Sequence, residues 1–272
     1  MSLRFPAPAW LSGCGNMAGA MVAGWRAAGV ELGGVTAIRP SGTPVEGVET
    51  LTDYPDSEVP KFVMLGFKPQ KLDEIAPSLA PRLGAQTVIV SLLAGAEVAS
   101  LRARFPGVRA IVRALPNLPV AIGAGVIALF GDEGGLDEVA ALMRPLGLVV
   151  PTASEAGLAA VGAIAGAGPA YVARFADALA AAGTAHGVEA DGLGIALQTL
   201  AGTAALMQST REDGAALARR VASPGGTTQA GLDVLDDGDA LNRLVEATIA
   251  AAVARGRELA AAAAVDKPPP LA

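Results

Sequence analysis

The run LSGCGNMAGAMVAGW, residues 11–25, constrains the fold more than any other part of this chain. It sets Gly13, Gly15 and Ala18 in a G-x-G-x-x-A pattern, directly after a short apolar run and at the start of an apolar helical run. In such a strand–turn–helix unit the first glycine permits a tight turn, and the second lets the backbone approach a phosphate. The third small residue lets helix and strand pack closely, and the helix N-terminus offers free N–H groups to an anion. The pattern therefore predicts a dinucleotide-binding turn, with a glycine-rich turn that binds nothing as the alternative. The residues expected at the pyrophosphate are Gly13, Gly15, Asn16 and Met17.

The rest of the first half alternates short apolar runs with helical patterns, from Trp10 to about Pro151. The runs predicted to be strands are WLSG, GVTAIR, KFVMLGF, QTVIVSL, VRAIVRAL, GVIALF and GLVVP. Several of them are apolar at successive positions, as expected for a parallel sheet that is covered on both faces. This half is therefore predicted to be an α/β, Rossmann-type doubly wound sheet that binds NAD(P).

Strand signals stop at about Thr152, and long stretches rich in Ala, Leu and Val follow. Helices are predicted at about 156–184, 191–209, 214–222, 227–237 and 239–264. The fold class is thus a Rossmann-type domain, residues 1–151, followed by an all-α domain, residues 152–265. The last residues, 266–272, contain the run KPPP, which cannot continue a helix and predicts a disordered tail.

The choice of cofactor is expected at the end of the second strand, where NAD enzymes carry an acid for the ribose 2′-hydroxyl. Here the chain reads AIRPSG, with Arg39 and Ser41 and no acid. A guanidinium can hold a 2′-phosphate with charge-assisted hydrogen bonds, whereas a carboxylate would repel it. NADPH is therefore the predicted cofactor, with NADH as a weaker alternative, unless Arg39 is simply a solvated surface residue.

Composition excludes several classes of partner. The net charge is −6 and there is no run of Lys and Arg, so we expect no nucleic acid. Residues 156–173 carry no charge but consist mostly of Ala and Gly with Pro169 inside, which argues against a membrane span. Only 17% of residues are charged, against about 25% in an ordinary domain, so part of the surface is expected in a homo-oligomer interface. The single cysteine, Cys14, is compatible with a reducing cytoplasm, where we expect the protein.

The scarcity of histidine and lysine excludes other chemistries. His186 is the only histidine and lies in a predicted loop, so neither a Ser-His-Asp triad nor a histidine-based metal site is expected. The four lysines are Lys61, Lys68, Lys71 and Lys267, so the helical domain proper lacks the catalytic lysine of the 3-hydroxyacid dehydrogenases. A reductase that needs no strong side-chain acid fits the chain better, and no metal is expected.

The run VASPGGTTQAG, residues 221–231, contains no acid, base or thiol, yet it combines glycines and hydroxyl residues between two predicted helices. Backbone N–H groups and hydroxyls at a helix start can bind an anion. Simple helix capping by Ser or Thr explains the same residues equally well. The residues alone leave these two interpretations open.

Six blocks along the chain resemble the pyrroline-5-carboxylate reductase family, in family order. The blocks are GCGNMAGAM, FKPQ (67–70), SLLAGA (91–96), VRALPNLPVAIGAG (112–125), GAGPAYV (166–172) and VASPGGTTQAGL (221–232). The resemblance implies NAD(P)H-dependent hydride transfer to the cyclic imine 1-pyrroline-5-carboxylate, giving L-proline in the last step of proline biosynthesis. It also implies a dimer whose helical domains interlock, so that residues 152–265 form a dimerisation and substrate domain.

The resemblance also implies residue roles. The substrate carboxylate would be bound by Ser223, Gly225, Gly226, Thr227 and Thr228. Thr228 is the candidate catalytic residue, as a hydrogen-bond partner of the substrate. The cofactor would also meet Lys68, Pro69 and Asn117.

The chain departs from the family at one block. Where the family has T-x-x-S-G-S-G-P-A-Y, this chain has GAIAGAGPAY, with Gly162, Ala165 and Ala167 in place of hydroxyl residues. If those hydroxyls touch the substrate in the family, the pocket here is less polar and fits another cyclic imine acid. If they only pack helices, the substrate is unchanged. A protein that senses the dinucleotide without turnover is the remaining alternative.

Overall fold

The structure is a computed structural model that describes residues 3–56 and 59–265. The side chains of residue 257 and of residues 259–265 are not described. The chain forms two compact units: the first extends to Ala167 and takes in residues from Val253 onward, and the second is Gly168–Ala252. The predicted domain limits of 1–151 and 152–265 stay predictions. The predicted tail, residues 266–272, lies outside the described residues.

The first unit contains an eight-stranded sheet with the order β3-β2-β1-β4-β5-β6-β7-β8. All neighbouring strands are parallel except β6 and β7, which are antiparallel. The strands are β1 Ala9–Ser12, β2 Val35–Ile38, β3 Glu49–Leu51, β4 Phe62–Leu65, β5 Val88–Ser91, β6 Ala110–Pro116, β7 Gly125–Gly131 and β8 Gly147–Pro151. The sheet is thus mostly parallel, and its order reverses direction between β1 and β4, as in a doubly wound fold.

Helices cover both faces of this sheet. Those of the first unit are α1 Asn16–Ala27, α2 Leu72–Leu79, α3 Val98–Arg104, α4 Glu133–Met143 and α5 Glu155–Ala165. The core has two clusters because successive strand residues point to opposite faces. Leu11 packs with Trp25 of α1 and Met143 of α4 in one cluster. The neighbouring Trp10 packs with residues such as Leu79 of α2 in the other.

The remaining described chain is helical. The helices are α6 Gly168–Ala185, α7 Gly192–Thr210, α8 Gly214–Val221, α9 Thr227–Asp236 and α10 Ala240–Val265. The predicted helix at 156–184 is in fact two helices, α5 and α6. Pro169, the second residue of α6, explains the break, because proline has no N–H to donate to the carbonyl of Ala165 four residues earlier.

The stretch Glu155–Ala185 is long and apolar enough to cross a membrane, judged by length and composition alone. Its first part, α5, nevertheless packs on the sheet, with Leu158 fully buried. Gly162 also lies against Leu115, since a Cβ added there would come 3.0 Å from the leucine Cδ1. The packing of α5 therefore accounts for part of its apolar character without lipid.

Candidate functional site

The turn after β1 is built around Gly13. This residue has φ +81°, a backbone conformation that favours glycine, and a Cβ added to it would lie 2.8 Å from the backbone nitrogen of Phe67. Its own N–H donates to the carbonyl of Ile38 at the end of β2. Gly13 thus lets the chain turn sharply in direct contact with the backbone that follows β4, at the point where the strand order reverses.

The second glycine leaves the start of α1 open. Gly15 is the N-cap of α1 and is exposed, and a Cβ added to it would meet nothing within 4 Å. Because glycine has no side chain to cap the helix, the N–H groups of Asn16 and Met17 are left for another acceptor. Ala18 is buried and lies against Gly66. These residues fit a pyrophosphate, which needs close backbone approach and unpaired N–H donors.

Arg39 follows β2 at the same edge of the sheet. Its Nη1 donates to the carbonyl of Thr43 at 2.9 Å, and Ser41 Oγ lies 3.0 Å from Thr43 Oγ1, so residues 39–43 form an exposed loop rich in donors. Glu49, the acid of the neighbouring strand, lies at the opposite end of β2 and accepts a hydrogen bond from Thr36. The surroundings of Arg39 therefore fit a 2′-phosphate.

The thiol of Cys14 reports on this environment. Burial raises the pKa of Cys14, and the positive charge of Arg39 opposes that shift only in part. The positive charge of Arg39, which follows the next strand, is therefore close enough to the glycine turn to lower the pKa of Cys14. The thiol stays protonated at neutral pH and is packed in the core.

The segment after β4 places Lys68 and Pro69 beside this turn. Phe67 contacts Gly13, as described above, and the exposed Lys68 comes next. Pro69 begins a short 3-10 helix, Pro69–Lys71, in which the N–H of Lys71 donates to the carbonyl of Lys68. The edge of the sheet at which Arg39 lies thus also holds six other predicted cofactor residues: Gly13, Gly15, Asn16, Met17, Lys68 and Pro69.

Asn117, at the end of β6, is buried and serves the fold directly. Its Oδ1 accepts from the N–H of Val126 at 2.8 Å, and its Nδ2 donates to the carbonyl of Ala165 at 2.9 Å. That carbonyl is the one that Pro169 leaves without a helical partner. Asn117 therefore joins β6, β7 and the end of α5, and one amide hydrogen remains for a further acceptor.

The second unit contains the predicted carboxylate-binding turn. Gly225 has φ +70°, and the N–H of Gly226 donates to the carbonyl of Ser223 at 2.9 Å, which closes a tight turn between α8 and α9. Gly226 is the N-cap of α9 and makes no side-chain capping bond. Thr227 and Thr228 begin the helix and are exposed. The start of α9 therefore has no side-chain cap on its N–H groups and carries two exposed hydroxyl residues, which suits an anion.

Comparison with known proteins bears on these residues. A family described as "Pyrroline-5-carboxylate reductase dimerisation" matches residues 155–259. A pyrroline-5-carboxylate reductase from Pseudomonas aeruginosa is 32% identical over 263 residues, covering 91% of this chain and 95% of that protein. The chain belongs to the pyrroline-5-carboxylate reductase family. Another member, from Synechocystis, is 36% identical over 75% of this chain and 76% of its own length. The family predicted from the six sequence blocks is thus confirmed.

Solved structures agree with this family. A pyrroline-5-carboxylate reductase from Coxiella burnetii superposes with a TM-score of 0.84 at 28% identity, over 94% of this chain and 99% of its own. A Plasmodium falciparum pyrroline carboxylate reductase, solved with NADP bound, has a TM-score of 0.79 over 93% of this chain and 98% of its own. At 20% identity it supports the fold alone. The predicted class, a Rossmann-type sheet followed by an all-α domain, is confirmed.

Sequence reasoning missed an ion pair between a buried arginine and a partly exposed carboxylate in this reductase fold. Arg113 of β6 is 6% exposed and forms an ion pair with Glu155, the first residue of α5. Among the side-chain atoms that the structure describes, Arg113 Nε is the one buried nitrogen or oxygen without a hydrogen-bond partner. The sequence contained a signal for this pair, since Arg113 is the one charged residue of the apolar strand β6, Ala110–Pro116.

Proposed function

We propose that this chain catalyses the NADPH-dependent reduction of 1-pyrroline-5-carboxylate to L-proline, with NADH as a weaker cofactor. The observation that carries the proposal is the match to the Pseudomonas aeruginosa reductase over 95% of that protein's length. The open glycine turn and the free start of α1 support it independently, because they fit the pyrophosphate of a dinucleotide. Arg39 and Ser41 support the choice of NADPH over NADH.

The bound cofactor would supply the hydride, and the chain's own residues would bind and orient the two reactants. Gly13, Gly15, Asn16 and Met17 would hold the pyrophosphate, and Lys68, Pro69 and Asn117 would lie along the rest of the cofactor. Such orientation can supply about 7–11 kcal/mol of a barrier. A protonated cyclic imine is already electrophilic, so the reaction requires no strong side-chain acid, in line with the single histidine of the chain.

The substrate carboxylate would be bound at the start of α9. The free N–H groups there and the positive end of the helix would stabilise it by about 0.3–1 kcal/mol, and by about 2 kcal/mol where the site is partly buried. Ser223, Thr227 and Thr228 would add hydroxyl donors, while Gly225 and Gly226 keep the main chain accessible. Thr228 would hydrogen-bond the substrate and is the proposed catalytic residue.

A homo-oligomer, at least a dimer, would cover the apolar surface of the helices. Eighteen large apolar side chains are exposed among the described residues, and fourteen of them lie within residues 155–259, the part that matches the dimerisation family. Phe175, Leu244 and Val245 are examples. Light scattering after gel filtration should give at least twice the chain mass, and a monomer at micromolar concentration would contradict this proposal. We place the protein in the cytoplasm, without membrane or nucleic acid.

One observation favours a second substrate. Gly162, Ala165 and Ala167 replace the three hydroxyl residues of the family pattern. In the structure Gly162 packs against Leu115, and the Ala165 carbonyl is bound by Asn117. Both are contacts within the first unit, so a less polar pocket that suits another cyclic imine acid follows only if the family's hydroxyls touch the substrate.

The decisive experiment follows the absorbance of NADPH with three imines in turn. These are pyrroline-5-carboxylate, piperideine-2-carboxylate and pyrroline-2-carboxylate. The proposal expects the highest kcat/KM with pyrroline-5-carboxylate. A higher value with one of the others would assign that imine instead. NADPH binding without oxidation by any of them would favour a dinucleotide sensor.

A further inference from the structure

Glu155 joins three elements of the first unit through one carboxylate. It is the first residue of α5, and it forms an ion pair with Arg113 of β6. Its Oε1 accepts a hydrogen bond, 2.9 Å long, from the N–H of Val98, the first residue of α3. The carboxylate therefore lies at the N-termini of two helices, where negative charge is favourable.

Arg113 extends the connection to the segment that follows β5, residues 91–96. Its Nη2 donates to the carbonyl of Leu93 at 3.5 Å. The N–H of Leu93 bonds Ser91 Oγ, and the N–H of Ala96 donates back to the Leu93 carbonyl. Since Val98 follows this segment closely, the Arg113–Glu155 pair binds it near both ends.

The opposite end of α5 is also attached to β6. Asn117 bonds the Ala165 carbonyl, as described above, and Leu115 packs against Gly162 between the two ends. Alternate residues along β6 and directly after it thus contact α5: Arg113 at its start, Leu115 along it and Asn117 at its end. This helix is held in one register along the strand.

We propose that Arg113 and Glu155 are positioning residues that hold residues 91–96 and the end of β6 in place for cofactor binding. The proposal rests on the proposed function. Ligands of open α/β sheets bind outside the carboxyl ends of the strands, where both segments lie. β5 is the neighbour of β4, and residues 66 and 67, which follow β4, contact Gly13 of the glycine turn. Neither residue needs to touch a reactant, because a displacement of about 1 Å remote from the chemistry can cost about 100-fold in rate.

The first test compares Glu155→Gln with Asp132→Asn. Gln can still accept from Val98, but it removes the charge that faces Arg113. Asp132 is a matched control, because it also pairs with an arginine, Arg102, and accepts a backbone N–H, that of Ile111 at 2.8 Å. It does so at the other end of β6, away from the carboxyl edge. We expect Glu155→Gln to raise the KM for NADPH at least tenfold, and Asp132→Asn to change it less than twofold.

The second test separates positioning from folding. The double variant Arg113→Met with Glu155→Gln leaves no unpaired buried charge, so it should fold even if Glu155→Gln does not. A structural role alone predicts that its thermal midpoint and its KM for NADPH return together to the wild-type values. Positioning predicts a recovered midpoint with a KM for NADPH that stays at least tenfold raised. The single variant Arg113→Lys keeps the charge that faces Glu155, so its KM for NADPH should rise less than that of the double variant.

The proposal is overturned if the double variant binds NADPH like the wild type, or if Asp132→Asn weakens the cofactor as much as Glu155→Gln. If the wild-type protein reduces none of the three imines, the proposed function fails separately. In that case the dissociation constant for NADPH, from nicotinamide fluorescence, replaces KM in the same comparison of variants. An unchanged constant in the double variant would then overturn the positioning role.

Discussion

Two glycines of the same turn are expected to fail in different ways when each is replaced by alanine. Gly13→Ala puts a Cβ on a residue with φ +81°, which costs about 1–2 kcal/mol. The same Cβ would lie 2.8 Å from the nitrogen of Phe67 and 3.0 Å from the carbonyl carbon of Gly66. Both atoms are backbone and cannot rotate away, so overpacking adds about 1–3 kcal/mol. The sum, about 2–5 kcal/mol, should lower the thermal midpoint by several degrees.

Gly15→Ala should leave stability almost unchanged. Gly15 has φ −84°, which alanine adopts, and a Cβ there would meet nothing within 4 Å. The loss of an N-cap glycine, up to about 1 kcal/mol, is offset by a similar gain from a less flexible unfolded chain. The new methyl group would instead lie where the backbone is open to a pyrophosphate, so we expect the KM values for NADPH and NADH to rise at least tenfold.

The assay pairs thermal unfolding, followed by circular dichroism, with KM for both NADPH and NADH. Gly15→Ala should raise both KM values alike, because the two cofactors share the pyrophosphate. The reasoning is refuted if Gly15→Ala binds both cofactors within twofold of the wild type. It is equally refuted if Gly13→Ala leaves the thermal midpoint where it was.

Three further predictions test the remaining parts of the site. Arg39→Ala should raise the KM for NADPH about 10- to 150-fold, which corresponds to one charged hydrogen bond of about 1.5–3 kcal/mol, and change that for NADH little. Arg26→Ala, which removes an exposed ion pair with Glu46 at the far end of α1, is the control, and equal effects on both cofactors would remove Arg39 from the role. Thr228→Ala should lower kcat/KM for the imine by more than it weakens NADPH, and an unchanged kcat/KM would contradict the placement of the pocket. The raised pKa of Cys14 predicts slower reaction with thiol reagents in the folded protein than in urea at mildly alkaline pH, and equal rates would contradict its burial. Because folding raises this pKa, Cys14 stabilises the fold below the ordinary thiol range, and this contribution is lost as the pH rises through the folded pKa.

The sequence identified most elements because their signals are local. Apolar runs located seven of the eight strands, and Gly and Pro patterns located the turns around Gly13 and Gly225. The strand β3, Glu49–Leu51, was missed because three residues with two polar side chains carry no period. The antiparallel pairing of β6 with β7 was missed for a different reason, since periodicity shows that a run is a strand but not in which direction it runs.

Residue roles divide along the same line. The cofactor residues of the glycine turn follow from local spacing, and the structure places them together. Asn117 was predicted beside the cofactor, yet its side chain is largely used by Val126 and Ala165, which lie 9 and 48 residues away. The resemblance identified Asn117 as a site residue. Only the structure shows that Pro169 leaves the Ala165 carbonyl without a helical donor and that Asn117 donates to it.

The pair Arg113 and Glu155 shows how far sequence reasoning extends. A lone arginine in a central apolar strand must be paired, because breaking a buried ion pair costs about 3–5 kcal/mol. The sequence therefore predicts that a carboxylate pairs with Arg113. The sequence does not show that this carboxylate is Glu155, because the two residues are 42 positions apart and β7, α4 and β8 lie between them. The partner of Arg113 depends on the direction of β7, which is antiparallel to β6, because β8 runs parallel to β7 and α5 begins where β8 ends.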